Sequence, residues 1–367
     1  MAVLASCSAD HSEEPRATLT MQLQPSVAGY EEVVRQPTTR SWTPPTGFYP
    51  YSSMASWFPS QENITNRNIG IYFTRGTSAD LTGQFIYVAS KDEWWTTIEL
   101  EQSGVIGNTY YLYGYVPFDR SITTTLTPPA GGFSAGATLT LSGLPTVTPT
   151  EVCVVVGVKK GSSADNDGGI KLGQFDYELN SGDNNYVFLL FDHIYSALRL
   201  RINVNEDYNA LRTIRLKRMT LTPYEGDAAV KSATTATVSL SANPDGLSPI
   251  NSITFTPDAT SADVDEVVLF EPAEGTDGID LTTTYTDFCG NFMPQGITRF
   301  KLVSEYDVYD KQGNLVRPDQ RAENKLDIAT LFPPASQLMH GRMFTLNLTV
   351  NPTYLYVLSE PDLQFDY

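Results

Sequence analysis

The side chains that most often carry out chemistry are few in this sequence and lie far apart. The three histidines are His11, His193 and His340, and neither their spacing nor their neighbours form a metal site or a Ser, His, Asp arrangement. Residues 165–168 (DNDG) resemble the start of a calcium loop, but the remaining ligand positions and the closing Glu are missing, so a polar turn is the better interpretation. We therefore predict no catalytic residues, no metal and no cofactor.

Cysteine chemistry is expected only at the N-terminus. Leu4, Ala5, Ser6 and Cys7 match the lipobox of bacterial lipoproteins, in which the cysteine is acylated, and the polar residues 8–15 suit a tether. Six residues precede Cys7, without a basic or a long apolar region, so either the start of the signal peptide is truncated or the match is accidental. Cys7 is the predicted lipidation site, and Cys153 and Cys289 are predicted to be unreactive.

Composition limits the class of protein. The 367 residues include 24 Lys plus Arg against 42 Asp plus Glu, a net charge of −18, which excludes an electrostatic nucleic-acid binder. Apolar residues make up 41% and charged residues 18% of the chain, as in globular proteins. The apolar runs are too short for a membrane-spanning helix, and the abundance of Tyr, Phe, Thr and Val favours strands.

Apolar residues recur with a period of two in most readable segments. Residues 198–204 alternate cleanly, which predicts a half-buried strand. The alternation changes phase between Ile214 and Leu221, which predicts a bulge near Lys217 and Arg218. Residues 300–308 and 315–316 predict a hairpin, and residues 322–331 are the best candidate for a helix. The fold class is therefore all-β, and a sandwich is favoured.

Domain boundaries follow from the length and from one polar cluster. The segment 180–185 (NSGDNN) separates two apolar stretches and is predicted to be a linker. The chain then divides into a tether over 1–16, an N-terminal β-sandwich domain over 17–185 and a C-terminal β-sandwich domain over 186–367.

Aromatic residues suggest a second kind of function. Trp94, Trp95, Tyr110, Tyr111, Tyr113 and Tyr115 could form a platform on which sugar rings stack. In a strand, however, residues two apart share a face, so half of the tyrosines are expected in the core. The alternative function on this basis is a monomeric outer-membrane glycan-binding lipoprotein of a nutrient-uptake system.

Four segments resemble the fimbrillin-like proteins, which are the building blocks of lipoprotein-derived pili of anaerobic Gram-negative bacteria. These segments are residues 110–117 (YYLYGYVP) preceded by 94–96 (WWT), residues 40–45 (RSWTPP), residues 191–198 (FDHIYSAL) and residues 351–357 (NPTYLYV). The resemblance extends over nearly the whole chain, although each motif is loose and none is catalytic.

The resemblance implies two transthyretin-like (Greek-key) β-sandwich domains, export as a lipoprotein to the outer membrane and cell surface, and assembly into a pilus. In that scheme an Arg-specific trypsin-like protease removes an N-terminal strand, and a strand of a neighbouring pilin subunit fills the groove that is left. The protein would then be a stalk, tip or anchor subunit that supports adhesion.

The strand expected to leave is residues 17–24, with Leu19, Met21 and Leu23 on one face. A cut after Arg16 would leave this strand in place, and Pro37 is expected to hinder a cut after Arg35. We therefore predict cleavage after Arg40, with Arg35 and Arg16 as alternatives. The simpler alternative is that residues 17–24 are a permanent first strand.

The strand expected to be donated lies at the C-terminus. It follows Pro352, which cannot donate to a ladder, and its strand character comes from Tyr354, Leu355, Tyr356, Val357 and Leu358. The acidic residues beyond it suit an apolar groove less well, so only its first part is expected to insert. Alternatively this segment closes its own domain, and the protein is a tip or anchor subunit.

Overall fold

The computed structural model describes residues 16–28, 31–34, 51–53, 69–75, 78–88, 93–101, 107–148, 152–160, 173–179, 185–225, 228–229, 233–240, 250–257, 266–294, 296–351 and 364–366. Among these residues strands dominate, and the two α-helices are short: α1 is Glu206–Leu211 and α2 is Ile328–Leu331. A 3-10 turn covers Phe133–Ala135. The prediction of an all-β protein is confirmed.

The first thirteen strands are β1 Arg16–Ala28, β2 Glu31–Val34, β3 Tyr51–Ser53, β4 Ile69–Arg75, β5 Ser78–Val88, β6 Glu93–Glu101, β7 Thr109–Val116, β8 Thr123–Thr127, β9 Ala137–Pro145, β10 Val147–Thr148, β11 Cys153–Lys160, β12 Asp176–Glu178 and β13 Asn185–His193. They are followed by β14 Ser196–Val204, β15 Arg212–Glu225, β16 Ala228–Ala229, β17 Ala233–Leu240, β18 Ile250–Pro257, β19 Val267–Phe270, β20 Ile279–Leu281, β21 Thr286–Phe292, β22 Arg299–Asp310, β23 Leu315–Asp327, β24 Arg342–Asn351 and β25 Gln364–Asp366.

The first sheet closes on itself. Its strand order is β11-β13-β1-β6-β5-β4-β7-β12, with β3 beside β1, and β11 pairs again with β7. That last pairing is short and joins Cys153 to Val116 and Val154 to Tyr115. β11, β13, β1, β6, β5, β4 and β7 therefore form a ring in which β1 is one member.

Three further sheets complete the described structure. The second has the order β10-β21-β14-β24-β2, with β25 beside β24. The third has the order β16-β15-β22-β23, with β19 and β20 beside β15. The fourth has the order β18-β17-β9-β8. Most neighbouring strands are antiparallel, and the parallel pairs are β1 with β13, β14 with β24, and β2 with β24.

Buried apolar side chains form two large clusters. The first is drawn mainly from residues between Met21 and Tyr195, and the second mainly from residues between Leu198 and Val350. The change from one cluster to the other follows β13, which begins at Asn185 and belongs to the first sheet. The division of the chain into two domains stays a prediction.

Several local predictions are confirmed by the strands. Residues 198–204 lie in β14, whose burial alternates along most of its length. The pairing of β15 with β22 shifts register between Leu216 and Arg218, where the bulge is predicted. β22 and β23 form the predicted hairpin, and its turn is held by the Asp310 carboxylate, which accepts hydrogen bonds from the backbone N–H groups of Gln312 and Asn314.

The helix predicted over residues 322–331 is wrong for most of its length. Residues 322–327 continue β23 and pair with β22, for example Ala322 with Ser304, and only α2 is helical. Pairing with a long neighbouring strand outweighs the weak local preference for helix. The helix begins only after Asp327, whose carboxylate accepts a hydrogen bond from the N–H of Thr330 at 3.1 Å.

The tyrosine-rich strand β7 depends on a close approach at Gly114. A Cβ atom at this position would overlap the carbonyl oxygen of Gly70 in β4. We expect Gly114→Ala to destabilise the protein by about 3 kcal/mol, because two paired backbones cannot separate locally without loss of hydrogen bonds. Equilibrium unfolding in urea measures this change.

Gly313→Ala is the matched control for Gly114→Ala. Gly313 has a φ of 85°, and a methyl group at this position would meet no atom within 4 Å, so only backbone strain of about 1 kcal/mol is expected. Equal losses for the two variants would show that the close approach of β4 and β7 is unimportant.

Candidate functional site

β1 is an internal strand with a neighbour on each side. Arg16–Leu23 run antiparallel to β6, from Glu101 to Trp94. Met21–Val27 run parallel to β13, from Asn185 to Phe191. No charged residue lies between Arg16 and Glu31, which suits a strand whose two edges are both paired. We call the space that β1 fills between β6 and β13 the β1 slot.

The β1 slot is mostly apolar where its lining is described, and its described polar residue is the buried Asn185, opposite Met21. Met21 and Leu23 are each 1% exposed and belong to the first core cluster. Their neighbours on β13 include Val187, which lies opposite Leu23 and is fully buried. The spacing of two places Met21 and Leu23 on one face of the strand, as the sequence predicts. Leu19 also lies in β1, opposite Ile98 of β6.

The segment that forms β1 also contributes to the second sheet. Two residues after β1, the strand β2 lies parallel to β24, with Glu31 opposite Arg342 and Val34 opposite Thr345. Residues 16–34 therefore supply strands to two sheets. The sequence gives little indication of β2, because four residues are too few to show a hydrophobic period.

The same edge of β24 also pairs with the C-terminal strand. Thr349, Val350 and Asn351 lie opposite Asp366, Phe365 and Gln364 of β25. The other edge of β24 is occupied by β14. The first part of this edge is thus covered by β2 and the last part by β25, so strands from both ends of the described chain meet on one strand.

The remaining predicted site residues have different positions. Arg16 is the first residue of β1 and lies opposite Glu101. Other predicted residues fall outside the described part of the chain, namely Cys7, Arg35, Arg40, Tyr354, Leu355, Tyr356, Val357 and Leu358, together with the acidic turn at 165–168. Lipidation, cleavage and strand donation therefore stay predictions.

The aromatic platform is wrong as far as the β7 tyrosines are concerned. Tyr110, Tyr113 and Tyr115 are each 1% exposed or less, and Tyr111 is half-buried. Tyr110 stacks on Phe73 at a centroid distance of 4.2 Å, and Tyr113 stacks on Phe175 at 4.9 Å. Burial raises the pKa of Tyr113 well above the ordinary tyrosine value. These rings are core, because β7 is covered on both faces.

His193 and the two described cysteines are structural. The Nδ1 atom of His193 lies 3.4 Å from the Sγ atom of Cys153, and both residues are fully buried. Burial raises the pKa of the Cys289 thiol, which keeps it protonated and unreactive. The described residues contain no group of three or more His, Cys, Asp or Glu side chains arranged to hold a metal ion. None of the described helices is long and apolar enough to cross a membrane.

The sequence matches no family model and no curated protein. Among solved structures, the chain is similar to a candidate cell adhesion protein of Bacteroides fragilis, with 8% identity, a TM-score of 0.44, and coverage of 92% of this chain and 94% of the other. It is also similar to a fimbrial protein of Bacteroides vulgatus, with 14% identity, a TM-score of 0.34, and coverage of 77% and 87%.

We expect the burial of β1 to hold the first sheet together. Leu23→Ala removes a side chain that is 1% exposed and should lower the free energy of unfolding by about 2 to 5 kcal/mol. The control is Leu315→Ala, which truncates a leucine that is 50% exposed and should change stability by less than about 0.5 kcal/mol. Equal effects of the two substitutions in denaturant unfolding would contradict the packing of β1 described above.

Proposed function

We propose that this protein is a structural pilin or pilus-associated surface lipoprotein that assembles by protease-triggered strand exchange and supports adhesion. The observation that carries the proposal is the position of β1, a strand near the N-terminus that is paired on both sides, has no charged residue after Arg16 and buries Met21 and Leu23. A fimbrial protein is among the similar solved structures, but the proposal rests on this strand. The expected partners are other pilin subunits, an Arg-specific protease and, through acylated Cys7, the outer membrane.

Loss of β1 would create a strong acceptor for another strand. The backbone N–H and C=O groups of β6 and β13 that face β1 would lose their partners, and the apolar lining of the β1 slot would meet water. Both costs disappear when another extended, apolar segment enters the slot and pairs on both sides. A site of this kind binds a neighbouring subunit more readily than a soluble small molecule.

The strand boundaries limit where an activating cut can fall. A cut after Arg16 leaves both β1 and β2 attached to the chain, because β1 begins at Arg16 and β2 ends at Val34. A cut after Arg35 or Arg40 detaches both strands. Such a cut would open the β1 slot and also free the first part of the β24 edge. Arg40 stays the proposed position, with Arg35 as the alternative.

The C-terminal segment is the proposed donor. Within the described residues its hold on the fold is β25, which pairs with β24 over three residues. So short a pairing is lost at little cost, and the segment with Tyr354, Leu355, Tyr356, Val357 and Leu358 could then extend to a neighbour. The alternative of a monomeric glycan-binding lipoprotein has lost the support of the β7 tyrosines.

Cleavage is tested by arginine variants expressed on cells with the processing protease. Arg40→Ala should keep residues 17–34, remain monomeric and show no filaments, because the β1 slot stays filled. Arg16→Ala is the control and should assemble as the wild type does. Mass spectrometry of filaments gives the mature N-terminus. A mature form that begins at Ala17, Met1 or Cys7 would contradict the proposal, and filaments of Arg40→Ala that begin after Arg35 would move the cut to Arg35.

Donation is tested by truncation of the C-terminus. Deletion of residues 355–367 should leave a folded monomer that no longer polymerises. Deletion of residues 364–367 is the control: it removes β25 and spares the proposed donor, so polymerisation should persist. Circular dichroism checks the fold, and electron microscopy checks for filaments. Unfolding with the longer deletion, or filaments that are unchanged by it, would rule out donation by this segment.

A further inference from the structure

The outer face of the third sheet contains an open groove with a volume of about 480 Å³. It crosses three neighbouring strands. Tyr224 of β15, Lys301 and Val303 of β22, and Arg321, Glu323 and Lys325 of β23 contribute to its walls. The volume is within the range of ligand-binding sites for small molecules.

Two lysines face each other directly in this groove. Lys301 and Lys325 are register partners on β22 and β23. Like charges at directly opposite positions destabilise a sheet, and natural sheets usually place opposite charges there. A destabilising pair of like charges in a solvent-facing groove is expected at a binding site, where a bound anion would remove the repulsion between the two lysines.

Among the cations described beside the groove, Lys325 forms no ion pair with a carboxylate. Glu323 serves two of them, because its Oε2 atom lies 2.8 Å from the Nζ of Lys301 and 3.7 Å from Nη1 of Arg321. Glu266 also lines the groove, but it is bound by Arg218 at 2.6 Å. The Nζ atom of Lys325 lies 5.7 Å from the centre of the Tyr224 ring, a cation–π contact.

Arg321 also lies opposite Glu305 of β22, so among the described groove cations the lack of a carboxylate partner is specific to Lys325. Elsewhere on the same sheet Arg215 is paired with Asp280, and Arg299 is paired with Asp327. Charges more than about 8 to 10 Å away are screened at physiological salt, so an anion in the groove would respond mainly to the charges closest to it.

We propose that this groove binds an acidic saccharide. A carboxylate or sulfate group lies between Lys301 and Lys325 and removes their mutual repulsion. The attraction of the anion draws Lys325 from the Tyr224 ring, whose face then packs against the C–H groups of a sugar ring, with Val303 beside it. Glu323 accepts hydrogen bonds from sugar hydroxyl groups. The groove lies on β15, β22 and β23, none of which pairs with β1, β2 or β25, so binding does not depend on strand exchange.

The test is calorimetric titration of the full chain with an oligogalacturonate and with a sulfated oligosaccharide. At least one of them should bind, with an affinity that falls as salt is added. Lys325→Gln and Lys301→Gln should each weaken binding by about tenfold or more, and Lys325→Gln should not lower the melting temperature, because it removes the like-charge pair without breaking an ion pair. Lys311→Gln is the matched control: it makes the same change at the β22–β23 turn, where the lysine donates a hydrogen bond to Thr213.

Four results would overturn the proposal. Binding of neither acidic saccharide would remove the ligand class. Equally tight binding of a neutral oligosaccharide would show that the groove does not recognise the negative charge of the ligand. Inorganic sulfate or a poly-glutamate peptide that binds as tightly as the saccharides would show that the sugar ring is not recognised. Equal affinities of Lys325→Gln and Lys311→Gln would place the ligand elsewhere on the molecule.

Discussion

Backbone hydrogen bonding on both sides of β1 joins the two arms of the first sheet. β6 lies on one side of this strand and β13 on the other, and β1 is the strand that stands between them in the order of the sheet. The closure of β11 on β7 involves few residues, so the ring depends strongly on β1. Met21 and Leu23 add apolar contact with the first core cluster. The packing of that cluster therefore depends on a segment at the start of the chain.

β24 links this N-terminal segment to the other end of the chain. β2 and β25 occupy different stretches of the same β24 edge, so a change at the N-terminus alters the strand edge beside which the C-terminus lies. This link between the N-terminal segment and the C-terminal strand needs no long-range rearrangement. The link arises because β2 and β25 lie next to each other on β24. Unpaired backbone N–H and C=O groups on that edge would be stabilised by new hydrogen bonds.

The sequence predicts where the strands of this protein lie better than it predicts which strands pair with each other. Alternation identifies residues 198–204 and the first strand of the β22–β23 hairpin, since β14 and β22 each bury one face. It gives 17–24 for the first strand, whereas β1 extends to Ala28, because pairing with β13 continues to Val27 and pairing with β3 continues to Ala28. The sequence places the β7 tyrosines on both faces of the strand and predicts that one face is exposed. In the closed sheet, however, both faces of β7 are largely buried.

Sequence analysis misses those features of the candidate sites that depend on how two strands are aligned when they pair. Nothing in the sequence places Lys301 opposite Lys325, because the two residues become neighbours only through the bulged pairing of β22 with β23. The same holds for β2 and β25, which are too short to show a period and acquire order from β24. The helical propensity of residues 322–327 is likewise outweighed by pairing with β22, which local sequence preference does not reveal.

The geometry of β1 also has a mechanical consequence. β1 pairs with β6 over eight residues and with β13 over seven, and the hydrogen bonds of a ladder lie across the strand direction. A pull along the strand axis therefore loads both ladders in shear, so that many hydrogen bonds share the force and must break together. A pull across the strand would open them one after another. A strand held in this way resists tension along its length far better than peeling from one end.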